Sequence, residues 1–249
     1  MALPLHAPEE ITHDRGWIVH SVFEPLPFSQ AYLSTLHELS ADPDCPGHSD
    51  VGVRNLLFTL IMSLKPEAVL EIGGHIGSAA VVMGEAMRLN NFGKLTSLEP
   101  QEHYFQKLSA NVHKADLSQH VDVIRGFSYE DSIIRMLGER APFEVIFLDA
   151  CHDYQIVLEE ITKYRDLLCE NGVMVLHDAS IHGQSFDSTK QGGVRKAILD
   201  AVDRFPDLKP IMLEYPLWLN NCGAALICKQ RIANNKSFSK IISCLFGVK

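Results

Sequence analysis

From Asp50 to Lys229 the chain alternates between short, nearly continuous apolar runs and longer stretches whose apolar residues recur at helical spacing. Ala68–Ile72, Lys94–Glu99, Val121–Ile124, Phe143–Leu148 and Val173–Leu176 are the runs, each short enough for a buried strand. Helical periodicity fills the intervals: Ser78–Leu89, Glu102–His113, Tyr129–Arg140 and Asp153–Leu168. Strands separated by helices of this length make βαβ units and a parallel sheet with helices on both faces. Ahead of the first strand, Asp50 can cap a helix running through Leu57 to Leu64, which Pro66 ends.

The two ends of the chain read differently. Residues 1–49 are irregular and dotted with prolines, enclosing one short helix from about Ser29 to Ser40. After a helix over Val194–Phe205, two strands (Lys209–Glu214 and Ala224–Lys229) are joined by Tyr215–Gly223, a link with no helix in it. Neighbouring strands without a crossover helix run antiparallel. The expected architecture is therefore α/β and Rossmann-like, with five parallel strands plus a C-terminal antiparallel hairpin. The corresponding division is an N-terminal extension (1–49), a main domain (50–230) and a tail (231–249). Ser237–Lys249 is amphipathic and reads as a terminal helix, or as a dimer or membrane-surface contact.

Bulk properties narrow the function classes. The chain has 249 residues, 46% of them hydrophobic and 21% charged, which suits a globular domain rather than a disordered one. A formal net charge of -9 gives no basic excess for a phosphate backbone, so nucleic acid is not expected as a partner. No secretory signal is readable in residues 1–20, and apolar runs such as Leu56–Leu64 are too short to span a bilayer. The six cysteines are scattered with no C-x-x-C pair, which fits a cytoplasmic chain.

Candidate chemistry lies where strands end. Glu71-Ile72-Gly73-Gly74-His75-Ile76-Gly77 leaves the first strand and opens a helix at Ser78. Its glycines let the backbone turn tightly and approach a ligand, and the helix start offers free N–H donors. Glu99, followed by Pro100, ends the second strand, where a carboxylate can accept from both ribose hydroxyls of an adenosine. The glycines do not meet the G-x-G-x-x-G pattern of nicotinamide and flavin folds, and Glu71 would repel a pyrophosphate. Further along, Asp149 and His152 follow the fourth strand, and His177 and Asp178 close the fifth. Asp149, His177 and Asp178 could ligate Mg²⁺ or a similar divalent ion, and His152 could take a proton from a hydroxyl. Each also has a plainer reading: Asp149 as an orienting acid, His152 as a helix cap, His177 as a satisfied structural histidine, and the glycine loop as a bare turn.

Between about Asp50 and Lys229 these residues resemble the class I S-adenosylmethionine (SAM) dependent methyltransferases. The resemblance implies that Glu71, Gly73, Gly74, His75, Gly77 and Ser78 surround the cofactor's amino-acid end. It places Glu99 and Pro100 at the ribose, Gly126, Phe127 and Ser128 at the adenine, and Asp149 near the methyl group. The segment Leu148-Asp149-Ala150-Cys151-His152-Asp153-Tyr154 and the later His177-Asp178 narrow it to metal-dependent small-molecule O-methyltransferases. Similar segments occur in enzymes that methylate sugar hydroxyls of macrolide-type products, and in a cephalosporin-hydroxylase-like group. By position, Asp149 and Asp178 become metal ligands and His152 the base, whereas His177 stands where that pattern often has an acid. The Asn-Pro-Pro-Tyr type segment of some N-methyltransferases is absent, which favours oxygen as the acceptor. A metal-using hydroxylase and a non-catalytic SAM-binding subunit are the alternatives. The acceptor class is a small molecule or sugar hydroxyl; the N-terminal segment and the tail could each build a homodimer contact. The polar stretch between Ala179 and Gly193 is a candidate substrate lid.

Overall fold

A computed structural model describes residues 11–12, 18–19, 26–45, 49–214 and 222–230. The Tyr215–Gly223 link for the most part, the 231–249 tail and most of residues 1–25 lie outside the described residues. Ile11–Thr12 pairs antiparallel with Ile18–Val19 in a small separate ladder. The main sheet has seven strands: β1 (Ala68–Ile72), β2 (Lys94–Glu99), β3 (Val121–Arg125), β4 (Phe143–Leu148), β5 (Leu168–His177), β6 (Leu208–Leu213) and β7 (Ala224–Lys229). Their spatial order is β3-β2-β1-β4-β5-β7-β6. The first five pair parallel; β7 pairs antiparallel with both β5 and β6. The expected terminal hairpin is present, with the last strand inserted beside β5 and the earlier one pushed to the edge.

Helices α1 (Gln30–Ala41), α2 (Val51–Leu64), α3 (Ser78–Asn90), α4 (Glu102–Lys114), α5 (Asp131–Arg140), α6 (Tyr154–Tyr164) and α7 (Gly193–Arg204) cover the sheet. Two apolar cores result, one per face. Leu57, Ile61, Met83 and Val145 pack with α1 to α4 on one side; Ile72, Ile146, Ile161 and Ile198 pack with α5 to α7 on the other. Central strands covered on both faces are nearly continuously apolar, which is why β1 and β4, each with a single glutamate, could be read to the residue. Helix α1 sends Tyr32 and Leu39 into the same core as α3, although it precedes residue 50. Ser29 and Asp50 cap α1 and α2 by accepting from the Tyr32 and Val53 amides. None of the helices among the described residues is long and apolar enough to cross a membrane.

Three expectations need correction. Helix α6 stops at Tyr164 instead of Leu168, because Leu168 pairs with Phe143 as the first residue of β5. Leu168 continues the helical spacing, but the buried ladder claims it. Strand β5 is correspondingly longer than Val173–Leu176; the Asn171-Gly172 turn lies inside it as a register shift, with Asn171 at φ 64. Helix α5 begins at Asp131, two residues after Tyr129.

The polar 179–193 stretch is not featureless. A 3-10 turn over Gly183–Phe186 leads to the buried Asp187. One Asp187 oxygen accepts from the Gln191, Gly192 and Gly193 amides at 2.8, 2.9 and 2.8 Å; the other accepts from the Thr189 amide and hydroxyl at 2.9 and 2.5 Å. It thus caps α7 from outside the helix, where Gly192 at the N-cap has no side chain to do so. Burial opposes its charge, but these donors prevail and hold the carboxyl far below the usual range. Asp187→Ala leaves several buried donors unmet and is expected to cost about 2 kcal/mol. Urea denaturation measures this, and a change within about 0.5 kcal/mol, the usual scatter of surface substitutions, would show that Asp187 is dispensable.

Candidate active site

The strand order reverses between β1 and β4, and open α/β sheets bind ligands in the crevice at such a point, beyond the carboxyl ends of the strands. Gly73 leaves β1 at φ 95, and a Cβ there would lie 2.5 Å from the Asp149 carbonyl, so only glycine fits. The Gly73 and Gly74 amides donate to the Leu98 carbonyl at 2.9 and 3.0 Å, pinning the loop to β2. His75 is left-handed as well, at φ 48, and Gly77 opens α3 at φ 95.

Two acids flank this loop with different partners. Glu71 is fully buried; one oxygen accepts from the Ser97 hydroxyl, while Oε1 has no hydrogen-bond partner. Burial pushes its carboxyl up to about 8, Ser97 partly offsets this, and Asp149 and Glu99 add repulsion. A chamber of about 20 Å³ beside it is lined by Gly74, Ser78 and Ser49 among others. Glu99, by contrast, accepts from the His75 amide at 2.8 Å and from the Gln101 amide at 2.9 Å, one on each oxygen.

Beyond them lies a cavity of about 410 Å³. Of the residues singled out in the sequence, Gly73, His75, Glu99, Pro100, Asp149, His152, His177 and Asp178 line it. Gly126, Phe127 and Ser128 do not: Gly126 backs onto Ile133, Phe127 stacks on Tyr129 in solvent, and the Ser128 hydroxyl donates to Glu160 at 2.6 Å. Gln101, Tyr104, Ala150, Phe186 and Cys222 also line the cavity and had not been singled out. Tyr104 packs against the His75 ring at 4.3 Å, and Phe186 against His152 at 5.6 Å. These aromatic contacts join separate elements, so nothing local in the sequence announces them.

At the far wall the charges interlock. The His152 Nε2 lies 2.6 Å from an Asp178 oxygen. His177 sits between two acids, Nδ1 at 3.0 Å from Asp149 and Nε2 at 3.1 Å from Asp50, with Asp178 3.4 Å from Nδ1. Burial would strip the His177 proton, but Asp149, Asp50 and Asp178 overcome it and hold the ring at about 11, as an imidazolium. Asp178 feels the same contest; burial raises its carboxyl, yet His152 and His177 bring it below the usual range. The Asp178 contact raises His152 above an ordinary imidazole. Asp50, legible only as a helix cap, does both jobs: one oxygen caps α2 and the other meets His177. Asp149, His152 and Asp178 offer ligand atoms within 4.8 Å of one another, as do His177, Asp178 and Cys222.

Residues 70–179 match the family model described as a methyltransferase domain. The fold is that of the class I methyltransferases. Three solved structures carry the comparison. An O-methyltransferase from Bacillus cereus, in complex with S-adenosylhomocysteine (SAH), superposes with a TM-score of 0.68 at 18% identity, over 82% of this chain and 93% of that one. The Streptomyces achromogenes O-methyltransferase of tomaymycin synthesis, in complex with SAM, gives 0.66 at 18%, over 83% and 92%. An SAH-bound methyltransferase of Podospora anserina gives 0.66 at 17%, over 82% and 89%. No curated protein matches the chain in sequence at a significant level.

In this methyltransferase fold Glu71 is a buried acid whose proton binds more tightly in the folded chain than in the unfolded one. Stability is then greatest below the ordinary glutamate value of 4.5 and declines as pH rises toward about 8. Glu71→Gln should remove that decline, which amounts to at most about 1.4 kcal/mol per pH unit across the window. Thermal unfolding of both proteins from pH 4.5 to 8.5 reads the difference; parallel curves would mean that Glu71 ionises normally.

Proposed function

We propose that the chain transfers the methyl group of SAM to a hydroxyl oxygen of a small molecule or sugar, with His152 as the base. The observation that carries this is the 2.6 Å hydrogen bond between His152 and Asp178 on the cavity wall. An ionised Asp178 fixes the proton of His152 on Nε2 and leaves Nδ1 as the acceptor for an incoming hydroxyl proton. A carboxylate that orients a histidine in this way stabilises the imidazolium that proton transfer creates.

The cofactor is supported by the unpartnered Glu71 oxygen, a buried acceptor beside the glycine loop that suits an ammonium group. The cavity, at about 410 Å³, lies in the range of small-molecule sites. Glu71, Gly73, Gly74, His75, Gly77 and Ser78 would hold the amino-acid end, Glu99 and Pro100 the ribose, and Gly126, Phe127 and Ser128 the adenine rim. SAM supplies a methyl group already activated by its sulfonium. The protein's part is to position the acceptor, exclude water and take one proton. The Phe186 ring over His152 and the Tyr104 ring over His75 give the walls that exclude water.

A divalent cation fits the same corner. Asp149, His152 and Asp178 would hold it, two hard carboxylates and one imidazole, and it would lower the pKa of an acceptor hydroxyl. His177 would not be a ligand in this reading, since both its nitrogens are engaged by Asp149 and Asp50. A cation there would compete with the hydrogen bond between His152 and Asp178 for the same two side chains.

Calorimetric titration with SAH is expected to show micromolar binding, and NAD⁺ none; no heat with SAH would sink the cofactor assignment. With methyl-labelled SAM and a panel of phenols and sugars, His152→Ala should lower kcat by about a hundredfold or more while SAH affinity stays unchanged. Equal turnover by the variant would remove His152 from the mechanism. Full activity in EDTA would select the histidine pair, and its loss with recovery in Mg²⁺ would select the cation.

A further inference from the structure

Asp178 has the less ordinary backbone of the His152–Asp178 pair. It follows the last residue of β5 at φ 56, a left-handed conformation that a non-glycine residue keeps only where its surroundings impose it. From there its carboxylate reaches His152 Nε2 at 2.6 Å. Whatever holds the Asp178 peptide therefore decides where the acid points.

The loop that follows β5 holds it. Gly183 opens the 3-10 turn and packs directly on the Asp178 backbone. A Cβ at Gly183 would lie 2.1 Å from the Asp178 carbonyl oxygen and 2.8 Å from the carbonyl carbon. Both atoms are main chain, so no side-chain rotation could relieve the overlap. The turn is fastened as well. The Ser180 hydroxyl accepts from the His182 and Gly183 amides, each at 3.1 Å, and the Ser180 amide donates to the Cys222 carbonyl at 2.9 Å. Further along, the Phe186 ring packs on His152, and Ser188 bonds to Asp153. One loop thus meets both members of the pair, Asp178 through Gly183 and His152 through Phe186. A lid, as the sequence of this stretch suggests, would have to part from the site and return. These contacts instead join the loop to the end of β5, the start of α6 and the Cys222 segment.

We propose that the 179–193 loop is a fixed clamp on the His152–Asp178 pair, and that Gly183 is the positioning residue that seats it. The inference rests on the reading of His152 as the base. Gly183 does not line the 410 Å³ cavity, so it acts through Asp178 and not on a ligand. Any side chain at this position drives the turn and the Asp178 peptide apart. Restoring ordinary contact takes a displacement of ~1 Å, and a misplacement of that size can cost about a hundredfold in rate. A 2.6 Å hydrogen bond lengthened by ~1 Å is no longer one. His152 would then lose the partner that fixes its proton.

Long-range nitrogen NMR of the full chain reads the His152 ring, whose signals are assigned by their loss in His152→Ala. Gly183→Ala should move both ring nitrogens toward the shifts of free histidine at the same pH, with SAH affinity unchanged. Ser180→Ala loosens the turn without forcing Asp178, and should move the same signals by less. With the acceptor found in the panel above, Gly183→Ala should lower kcat about tenfold or more, and add nothing to the loss in His152→Ala. Trypsin cleavage after the exposed Lys190 should be slow, equal with and without SAH, and faster in Gly183→Ala. Unmoved His152 signals in both variants overturn the proposal. So does an equal loss of kcat from Gly183→Ala with His152 present or absent, because Gly183 would then act elsewhere. Fast cleavage of the free chain that SAH suppresses overturns it too, since the loop would be a lid. Full turnover by His152→Ala, with the ring signals still moved by Gly183→Ala, would count against the base reading alone.

Discussion

Carboxylates crowd the carboxyl edge of this sheet. Glu71, Glu99, Asp149 and Asp178 all lie at strand ends on the same side of the molecule, and Asp50 joins them from the start of α2. Left alone, buried acids at such spacing would repel one another and take up protons. His177 opposes this, with both its nitrogens on carboxylates and three acids within 3.4 Å; Asp50 and Asp178 lie below the ordinary carboxylate range, while burial keeps Asp149 above it. His177 also ties α2, β4 and β5 to one point, so the geometry of the crevice depends on one protonated ring. Removing one partner from such a set is costlier than the set is stabilising, because the remaining charges are left buried without compensation.

The sequence carried the scaffold better than it carried this network. Strands β1, β2, β4 and β7 could be read to the residue, since short runs dominated by apolar residues stand out between helical stretches and glycines or prolines mark several of their ends. The α6–β5 junction was misread because Leu167 and Leu168 satisfy a helix period and a buried strand equally; only pairing with Phe143 decides. Site residues at strand ends were legible for a physical reason: the edge where parallel strands terminate is the one place where polar residues can follow a buried run. Asp50, Tyr104, Phe186 and Cys222 were not, because each acts through a partner on another element. Asp187 was missed although its partners lie within six residues, because they follow no helical or strand period. Asp50 reaches across 127 positions to His177, and local spacing says nothing about such a contact.

Asp187 shows how a loop without periodicity becomes ordered. Its carboxylate takes the place of the backbone acceptors that a helix or sheet would provide, gathering four amides and a hydroxyl into one centre. Next to it, the Ser188 amide and hydroxyl donate to Asp153 at 2.7 and 2.9 Å, which fastens the loop to the residue after His152. The Phe186 ring, which packs against His152, is followed directly in the chain by these two hydrogen-bonded residues, so packing alone does not set its place. Such an arrangement orients the histidine on one side through Asp178 and on the other through an aromatic wall.

The contrast between Glu71 and Glu99 follows from the same accounting of donors. Both end up out of water at adjacent strand ends, yet Glu99 has a backbone N–H on each oxygen and Glu71 has only the Ser97 hydroxyl. Burial with a single donor favours the Glu71 proton. Glu99 is a fixed acceptor that shapes the loop through His75, whereas Glu71 has an oxygen with a bond still to make. A cation entering beside Gly74 would supply that bond and drive off the proton in one event. On the reading proposed above, a positively charged group at the β1 end would be favoured over a neutral one of the same shape, because of what the fold leaves unsatisfied.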